Sequence, residues 1–309
     1  MDDVFTAGDR FLLNQARLLE RRLFATCFLG APAARVVDAL RGYQNDDGGF
    51  GHGLEPDKRC PASLPIDVET AFQALVAAGC VDRAMVLRAC DFLARTATDA
   101  GAGGAVALAS PVIEPFPRAE HWTGWTYEPG LNPTAGLVGL LYRLGIEHPW
   151  MSQGARYCWD ELERDGLPDE AHTLSEVLVF LEHTPERERA GEHAAGLFEH
   201  LPAVSGFHLD PDTPGYGLTP LNLAPVAGSP WRSLFTETRI AAHLDHLEQV
   251  QQPDGGWSIT WMPPSEASTL EWRGIVTLGA LRTLASYGRF GGASSSPAER
   301  RSSRSGGDR

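Results

Sequence analysis

The chain has 309 residues, of which 43% are hydrophobic and 21% charged, and its formal net charge at pH 7 is −14. This composition is that of a globular protein with one large domain or two small ones. The excess of acidic residues, with no basic stripe to offset it, argues against a nucleic-acid partner bound through its phosphates.

The sequence contains no apolar run long enough to cross a bilayer, so no integral membrane segment is predicted. The N-terminal residues MDDVFTAGDRF are acidic and lack the apolar stretch of a signal peptide, so we expect a cytoplasmic protein. The cysteines are odd in number, scattered and without a C-x-x-C pair, which argues against a disulfide framework or a zinc cluster. Neither a metal nor a cofactor is predicted, and we expect buried thiols at Cys27, Cys60, Cys80, Cys90 and Cys158.

Helical spacing dominates the chain. Apolar residues from Leu12 to Cys27 recur every three or four positions, as on one face of an amphipathic helix, and Val36, Leu40 and Tyr43 continue the pattern in a second helix. These two helices form the predicted opening hairpin. Strand signals are almost absent, so the predicted fold class is all-α, with further helices near residues 66–78, 83–96, 133–144, 152–163, 171–182, 189–200, 233–251 and 270–287.

Two of these helices differ in where their apolar residues lie. The helix that starts at Asn132 and Pro133 has good start signals and is apolar nearly all round, which is typical of an inner helix. The helix at residues 233–251 carries charged residues on one face and is predicted to be an outer helix.

One short motif occurs twice. Residues Gln44–Phe50 are QNDDGGF and residues Gln251–Trp257 are QQPDGGW, and 207 residues separate the two glutamines. This separation fits about five repeats of roughly 41 residues. The glycine pair permits a tight backbone path, the aromatic residue packs over it, and the glutamine reaches peptide groups of the next helix. We expect each copy to act as a clamp between successive helices.

Both clamps should lie at the same end of a ring of antiparallel hairpins. The ten helices above fail that test, so we expect a further short helix within residues 207–231 and about eleven or twelve helices in all. The long Pro- and Gly-rich connections then gather around the mouth of a central cavity, at residues 45–65, 110–131, 206–230 and 257–265. Residues 291–309, with Arg300, Arg301 and Arg304, form a predicted disordered tail.

The two clamps resemble the QW repeats of the squalene-hopene and oxidosqualene cyclases and the glycine-rich turns of protein prenyltransferase β subunits. The segments GFGHGLEPD, NPTAGLVGLLYRLGIEHPW and GGWSITWMPPSEASTLEWRGIVTL also look like a set of bacterial single-toroid proteins described as prenyltransferase-like or squalene-cyclase-like. The resemblance implies a single α/α toroid over residues 1–290, with helical hairpins around an apolar cavity. The chain departs from these relatives because it lacks both the D-x-D-D tetrad of the class II cyclases and the zinc-binding Asp-x-Cys of the prenyltransferases.

Carboxylates are concentrated in the predicted mouth. Asp67 and Glu69 lie at a helix start and are our first choice of proton donor, although a carboxylate there also caps the helix, which would lower its pKa. Asp210 and Asp212 are the second choice, with a surface Asx-turn as the alternative. The other mouth acids are Glu55, Asp57, Glu266 and Glu271, and the histidines beside these acids are His52 and His208.

Aromatic residues are frequent in the same connections. A cation in an apolar pocket gains about 0.5–2 kcal/mol from each ring that faces it. The expected lining is Trp122, Trp125, Tyr127, Trp257, Trp261 and Trp272, with Tyr216 and Trp231 nearby. Ordinary packing is the alternative, above all for Phe50 and Trp257, which follow the glycine pairs as wedges. Arg273 is expected to pair with Glu266 or Asp67, as a strut or as a contact for an anionic ligand.

These features predict a toroid whose cavity binds or transforms a small, isoprenoid-type apolar ligand, with catalysis and oligomeric state left open. Because α/α toroids also host glycan-processing enzymes, an enzyme acting on a glycan through the same carboxylates is the alternative, and a non-catalytic binding module is a third. A closed aromatic cavity favours the first hypothesis, an open acidic cleft with exposed tryptophans the second, and a filled centre the third.

Overall fold

The computed structural model describes residues 3–290, and this part of the chain is all-α, as predicted. It contains no strand, and its β interactions are isolated bridges such as the one between Gln44 and Phe50. None of its helices combines the length and the apolarity that a membrane crossing needs. The predicted tail at residues 291–309 lies outside the described residues.

The α-helices differ widely in length, from four residues to 21 residues. Short 3₁₀ helices follow α3 and α10 and occur in the connections after α5 and α11. In chain order the α-helices are α1 (Val4–Gln15), α2 (Leu18–Leu29), α3 (Ala34–Leu40), α4 (Pro65–Ala78), α5 (Arg83–Asp99), α6 (Leu131–Leu144), α7 (Pro149–Asp165), α8 (Ala171–His183), α9 (Arg187–Ala194), α10 (Leu197–His200), α11 (Pro220–Leu223), α12 (Glu237–Gln249) and α13 (Glu266–Ser286).

The single helix predicted across Leu12–Cys27 is wrong, because the chain is extended at Ala16 and Arg17 and forms two helices, α1 and α2. The Arg17 guanidinium donates to both carboxylate oxygens of Glu20, at 2.7 and 3.0 Å, and to the Leu54 carbonyl at 2.8 Å. A polar contact with a distant loop therefore holds this corner, and the apolar spacing of the helix does not reveal it.

Two other expectations concern short helices. The helix predicted at residues 189–200 is divided into α9 and α10. Gly196, which directly precedes α10, does not have helical backbone angles. The extra helix expected within residues 207–231 is present as the four-residue α11.

The helices pack in a regular order. Helices α2, α4, α6 and α8 contact one another in that order, α11 contacts α8, and α13 contacts α2. Helices α3, α5, α7, α9 and α12 each contact one or two of these helices. The last helix also packs along α1, so the two ends of the described chain meet.

Helix α6 has the burial expected of an inner helix. Every residue from Pro133 to Leu141 is buried. Gly139 lies directly against α8, where a Cβ atom would come within 2.6 Å of the Val179 backbone. The apolar surface of α6 is therefore covered by its neighbours, and glycine allows the close approach to α8.

The first clamp joins α3 to α5. The Gln44 side chain donates to the Gly48 carbonyl and to the Met85 carbonyl in the first turn of α5, both at 2.9 Å. Gly48 has a φ of +92°, and a Cβ atom there would lie 2.3 Å from the Arg88 carbonyl oxygen. Glycine is needed at this position for both reasons.

The second clamp repeats these contacts but joins α12 to the first helix of the chain. The Gln251 side chain donates to the Gly255 carbonyl at 2.8 Å and to the Val4 carbonyl in α1 at 2.9 Å. Gly255 has a φ of +94°, and a Cβ atom there would lie 2.1 Å from the Ala7 carbonyl oxygen. Helix α1 thus takes the place beside the second clamp that α5 takes beside the first.

Replacing the second clamp glutamine should loosen the contact between the chain ends. Each lost hydrogen bond costs about 1 kcal/mol, so Gln251→Ala should lower the free energy of unfolding by about 1–2 kcal/mol in urea denaturation. The matched control is Gln252→Ala, because that side chain donates only to the nearby Val250 carbonyl at 2.8 Å. Equal losses in the two variants would contradict the role of the clamp.

Candidate functional site

The loop at residues 53–59 forms the base of the candidate site. Lys58 is 1% exposed, and its ammonium group is paired with the Glu55 carboxylate and lies 4.3 Å from the centre of the Trp122 ring. The same Glu55 carboxylate accepts the Asp57 N–H at 3.2 Å. The buried charges of Lys58 and Glu55 therefore compensate one another within the loop.

The Asp67 side chain is hydrogen-bonded to this loop and does not cap the start of its own helix. Its carboxylate accepts the Glu55 N–H at 2.7 Å, and no side-chain cap bond is made at the start of α4. Burial raises the pKa of Asp67 to about 7, although the Lys58 charge and the Glu55 N–H act in the opposite direction. The expectation of a capping carboxylate with a lowered pKa is therefore wrong, because desolvation outweighs the hydrogen bonds.

Asp57 is the point at which the aromatic residues converge. One carboxylate oxygen accepts the indole N–H groups of Trp272, at 2.7 Å, and Trp261, at 3.2 Å. The other oxygen lies 3.4 Å from His121 Nε2. Burial and the charge of Glu55 raise the pKa of Asp57, while the two indole donors and His121 oppose the rise.

The aromatic rings near Asp57 form two groups, which together are the aromatic cluster of the site. Trp261 lies edge-on to Trp272, with ring centroids 5.1 Å apart, and Tyr216 lies edge-on to Trp261 at 5.4 Å. In the second group, Trp122, which lies next to the Lys58 ammonium group, packs against Trp125 at 4.9 Å. Tyr216 is 48% exposed and Trp125 39%, so parts of this wall face solvent.

Glu69 has a partner that the sequence did not point to. Its carboxyl group is hydrogen-bonded to that of Glu176 in α8, and it accepts the Gln73 amide at 3.2 Å. Gly136 of α6 leaves the necessary room, since a Cβ atom there would lie 1.5 Å from a Glu176 oxygen and 2.9 Å from a Glu69 oxygen. The carboxyl pair therefore joins α4 to α8 beside Gly136 of α6.

This pair retains a proton. Burial raises the pKa of both carboxyl groups, and the charge of Glu69 raises that of Glu176 well above its usual value. Glu176 is therefore the donor and Glu69 the acceptor of the shared proton. Both carboxyl groups are buried, although Glu176 as a whole residue is partly exposed.

Several predicted ligand contacts are structural instead. Trp257 is 4% exposed, its indole donates to the Leu247 carbonyl at 2.8 Å, and it is the wedge of the second clamp rather than a mouth residue. Arg273 makes two 2.8 Å bonds to Asp254 in that clamp, so neither Glu266 nor Asp67 is its partner. Both side chains therefore belong to the second clamp.

Glu271 and Tyr127 lie closer to the loop. Glu271 pairs with Arg59 at 2.5 Å and so connects the loop to α13. Tyr127 is half-buried with a φ of +54° and packs with Trp122 in a small second core. Both residues border the aromatic cluster, and neither makes a contact with Asp57 that would place it at the centre of the site.

The second-choice acids lie in a surface turn. Asp210 accepts the Asp212 N–H at 3.0 Å, and Asp212 lies 3.4 Å from His246 of α12 on an exposed face. This is the Asx-turn alternative, and it does not bring either acid to Asp57. His52 bonds to the side chain of Asn45 at 2.9 Å instead of pairing with Glu55.

Comparisons with known proteins identify a solved structure with a similar fold. No protein-family model matches the chain, and no curated protein sequence matches it. Among solved structures, the crystal structure of a protein from Actinoplanes is similar, with a TM-score of 0.54 and 19% sequence identity over 91% of this chain and 98% of that one. At this identity the likeness shows a shared fold.

The raised pKa of Asp67 predicts stability that falls with rising pH. In the unfolded chain an aspartate has a pKa near 3.9, so between about pH 4 and pH 7 the folded chain keeps a proton that the unfolded chain releases. One such proton lowers the free energy of unfolding by up to about 1.4 kcal/mol for each pH unit of increase. Asp67→Asn keeps an oxygen for the Glu55 N–H, and thermal unfolding should show a smaller loss of Tm over this window.

The control for this experiment is Asp210→Asn, which alters an exposed turn. Its Tm should follow that of the unaltered protein from pH 4 to pH 7. A parallel curve for Asp67→Asn would show that the buried carboxyl does not retain its proton.

Proposed function

We propose that this protein is a closed α/α toroid that binds a largely apolar, isoprenoid-type ligand and transfers a proton to it. Support for the ring comes from the order of helix contacts and from the second clamp, in which Gln251 of the α12–α13 connection bonds to Val4 of α1. A ring of hairpins requires such a junction between the ends of the chain.

The aromatic cluster supports the ligand class. Trp261 and Trp272 use their N–H groups on Asp57, so the rings are oriented by a buried carboxylate while both residues remain half-buried. Rings held in this way offer faces and edges to an apolar ligand and stabilise a positive charge that develops on it.

The observation that carries the proposal is the proton shared by Glu69 and Glu176. A carboxyl group that keeps its proton at neutral pH is a general acid, and the carboxylate beside it stabilises the hydrogen-bonded form of the pair. Glu176 is the donor because burial and the charge of Glu69 raise its pKa well above the usual value. Asp67 also has a raised pKa but is 1% exposed and bonded to the loop, so its role is to position residues 53–59.

The test is turnover of linear isoprenoid hydrocarbons, alcohols and diphosphates, with products identified by gas chromatography and mass spectrometry. Glu176→Gln keeps an N–H donor for Glu69 but removes the acidic proton, so turnover should fall by about 100-fold or more while the fold is retained. The matched control, Glu161→Gln on α7, should keep full turnover. Lack of any product from the unaltered protein, or equal turnover by Glu176→Gln, would refute the proposal.

A glycan is the second candidate ligand, because two aromatic residues of the cluster are exposed, Trp125 by 39% and Tyr216 by 48%. Exposed aromatic faces are typical platforms for sugar rings. In calorimetric titration with oligosaccharides, Trp125→Ala should abolish binding if this candidate is correct. Binding without turnover of either ligand class would indicate a non-catalytic module.

A further inference from the structure

Three side chains at the start of α8 form a hydrogen-bonded chain. Glu170 Oε1 lies 2.7 Å from His172 Nδ1, and His172 Nε2 lies 2.7 Å from the Tyr216 hydroxyl. Glu170 is also the N-cap of α8, where it accepts the N–H groups of His172 and Thr173, both at 2.9 Å. Its carboxylate is therefore held in place by the helix that carries the histidine.

The direction of the hydrogen bonds follows from the charge of Glu170. Burial acts to raise the pKa of Glu170, but hydrogen bonds from His172 and Thr173 outweigh it and lower the pKa to about 2. An ionised carboxylate only accepts, so the hydrogen of neutral His172 lies on Nδ1. The lone pair on Nε2 is then the acceptor for the hydroxyl hydrogen of Tyr216.

Tyr216 connects this chain to the aromatic cluster. Its ring stacks on His172 with an interplanar angle of 6° and lies edge-on to Trp261, which bonds to Asp57. Burial, followed by the charges of Asp57 and Glu170, raises the pKa of Tyr216, so the phenol keeps its proton at rest. The hydroxyl of this half-exposed residue is thus hydrogen-bonded to a base that Glu170 already orients.

The chain and the acid pair lie on the same helix face. His172 and Glu176 are four residues apart in α8, so their side chains follow one another with a rise of about 6 Å. A proton acceptor and a proton donor therefore lie one helical turn apart along the same side of α8.

We propose that Tyr216 is a general base, with His172 and Glu170 as its relay, for a ligand that carries a hydroxyl group. This inference deepens the proposed function and rests on it, because the ligand becomes an apolar molecule with an alcohol at the mouth end. The ligand O–H bond breaks and its proton goes to the Tyr216 oxygen as the phenol proton goes to His172 Nε2. Glu176 gives its proton to one carbon of an alkene in the same ligand, and the electron pair of the double bond forms this C–H bond. The ligand oxygen, which keeps the pair of its broken O–H bond, bonds to the other alkene carbon.

This step is balanced without a co-reactant. One proton enters the relay from the alcohol and one leaves Glu176 for the alkene, so the ligand is isomerised to a cyclic ether. The imidazolium that forms is stabilised by the Glu170 carboxylate, and exchange with water restores both groups.

The relay is testable without the ligand, using benzenesulfonyl fluoride as the probe. The Tyr216 oxygen attacks sulfur, fluoride leaves and the phenol proton passes to His172, so a working relay accelerates labelling. Mass spectrometry of the intact chain and its peptides compares Tyr216 with Tyr287, whose hydroxyl donates to the Ala224 carbonyl at 2.9 Å and has no base. Tyr216 should be labelled at least about tenfold faster than Tyr287.

Variants of the relay residues show whether fast labelling of Tyr216 comes from the relay or from the exposure of its side chain. His172→Gln and Glu170→Gln should each slow labelling of Tyr216 by about ten- to a hundredfold and leave Tyr287 unchanged, with circular dichroism to confirm that α8 is folded. Equal labelling of the two tyrosines, or a Tyr216 rate that His172→Gln does not change, would overturn the inference. Because no isoprenoid is present, this outcome is independent of the turnover test: failure of turnover with an intact relay would reject the ligand class alone.

Discussion

The buried ammonium group of Lys58 is the interaction on which the site depends. A lysine that is 1% exposed must keep a compensating partner, and here the Glu55 carboxylate and the face of Trp122 supply it. Along the path that satisfies this requirement, the loop at residues 53–59 also brings the Glu55 N–H to Asp67 and the Asp57 carboxylate to two indoles. The orientation of the aromatic cluster thus follows from charge compensation underneath it.

Helices far apart in the sequence hold this loop. Arg17 at the start of α2 donates to the Leu54 carbonyl, and Arg59 pairs with Glu271 of α13. The site is therefore assembled where the first helices meet the last one. Loosening the junction between the chain ends would change the position of the loop as well as the stability of the fold, so structure and proposed chemistry are linked through the same contacts.

Helix α8 brings together the two groups that the proposed chemistry needs. Its N-cap carboxylate, Glu170, orients His172, and one turn later Glu176 shares a proton with Glu69 of α4. Gly136 of α6 is the residue that permits this sharing, because any side chain there would occupy the space of the Glu176 carboxylate. The spacing of one helical turn between His172 and Glu176 thus sets the separation of the base and the acid.

The sequence by itself determined the all-α class, most helix positions, the two clamps and the gathering of acids and tryptophans in a few connections, because helical periodicity and Gly-Gly turns depend on residues close in sequence. Only the tertiary structure decided that Asp67 keeps a proton, that Arg273 belongs to the second clamp, and that Glu176 pairs with Glu69 and His172 with Tyr216. These properties depend on burial and on partners many residues away. A pKa or a hydrogen-bond partner is set by the three-dimensional surroundings of a group, which local sequence patterns do not contain.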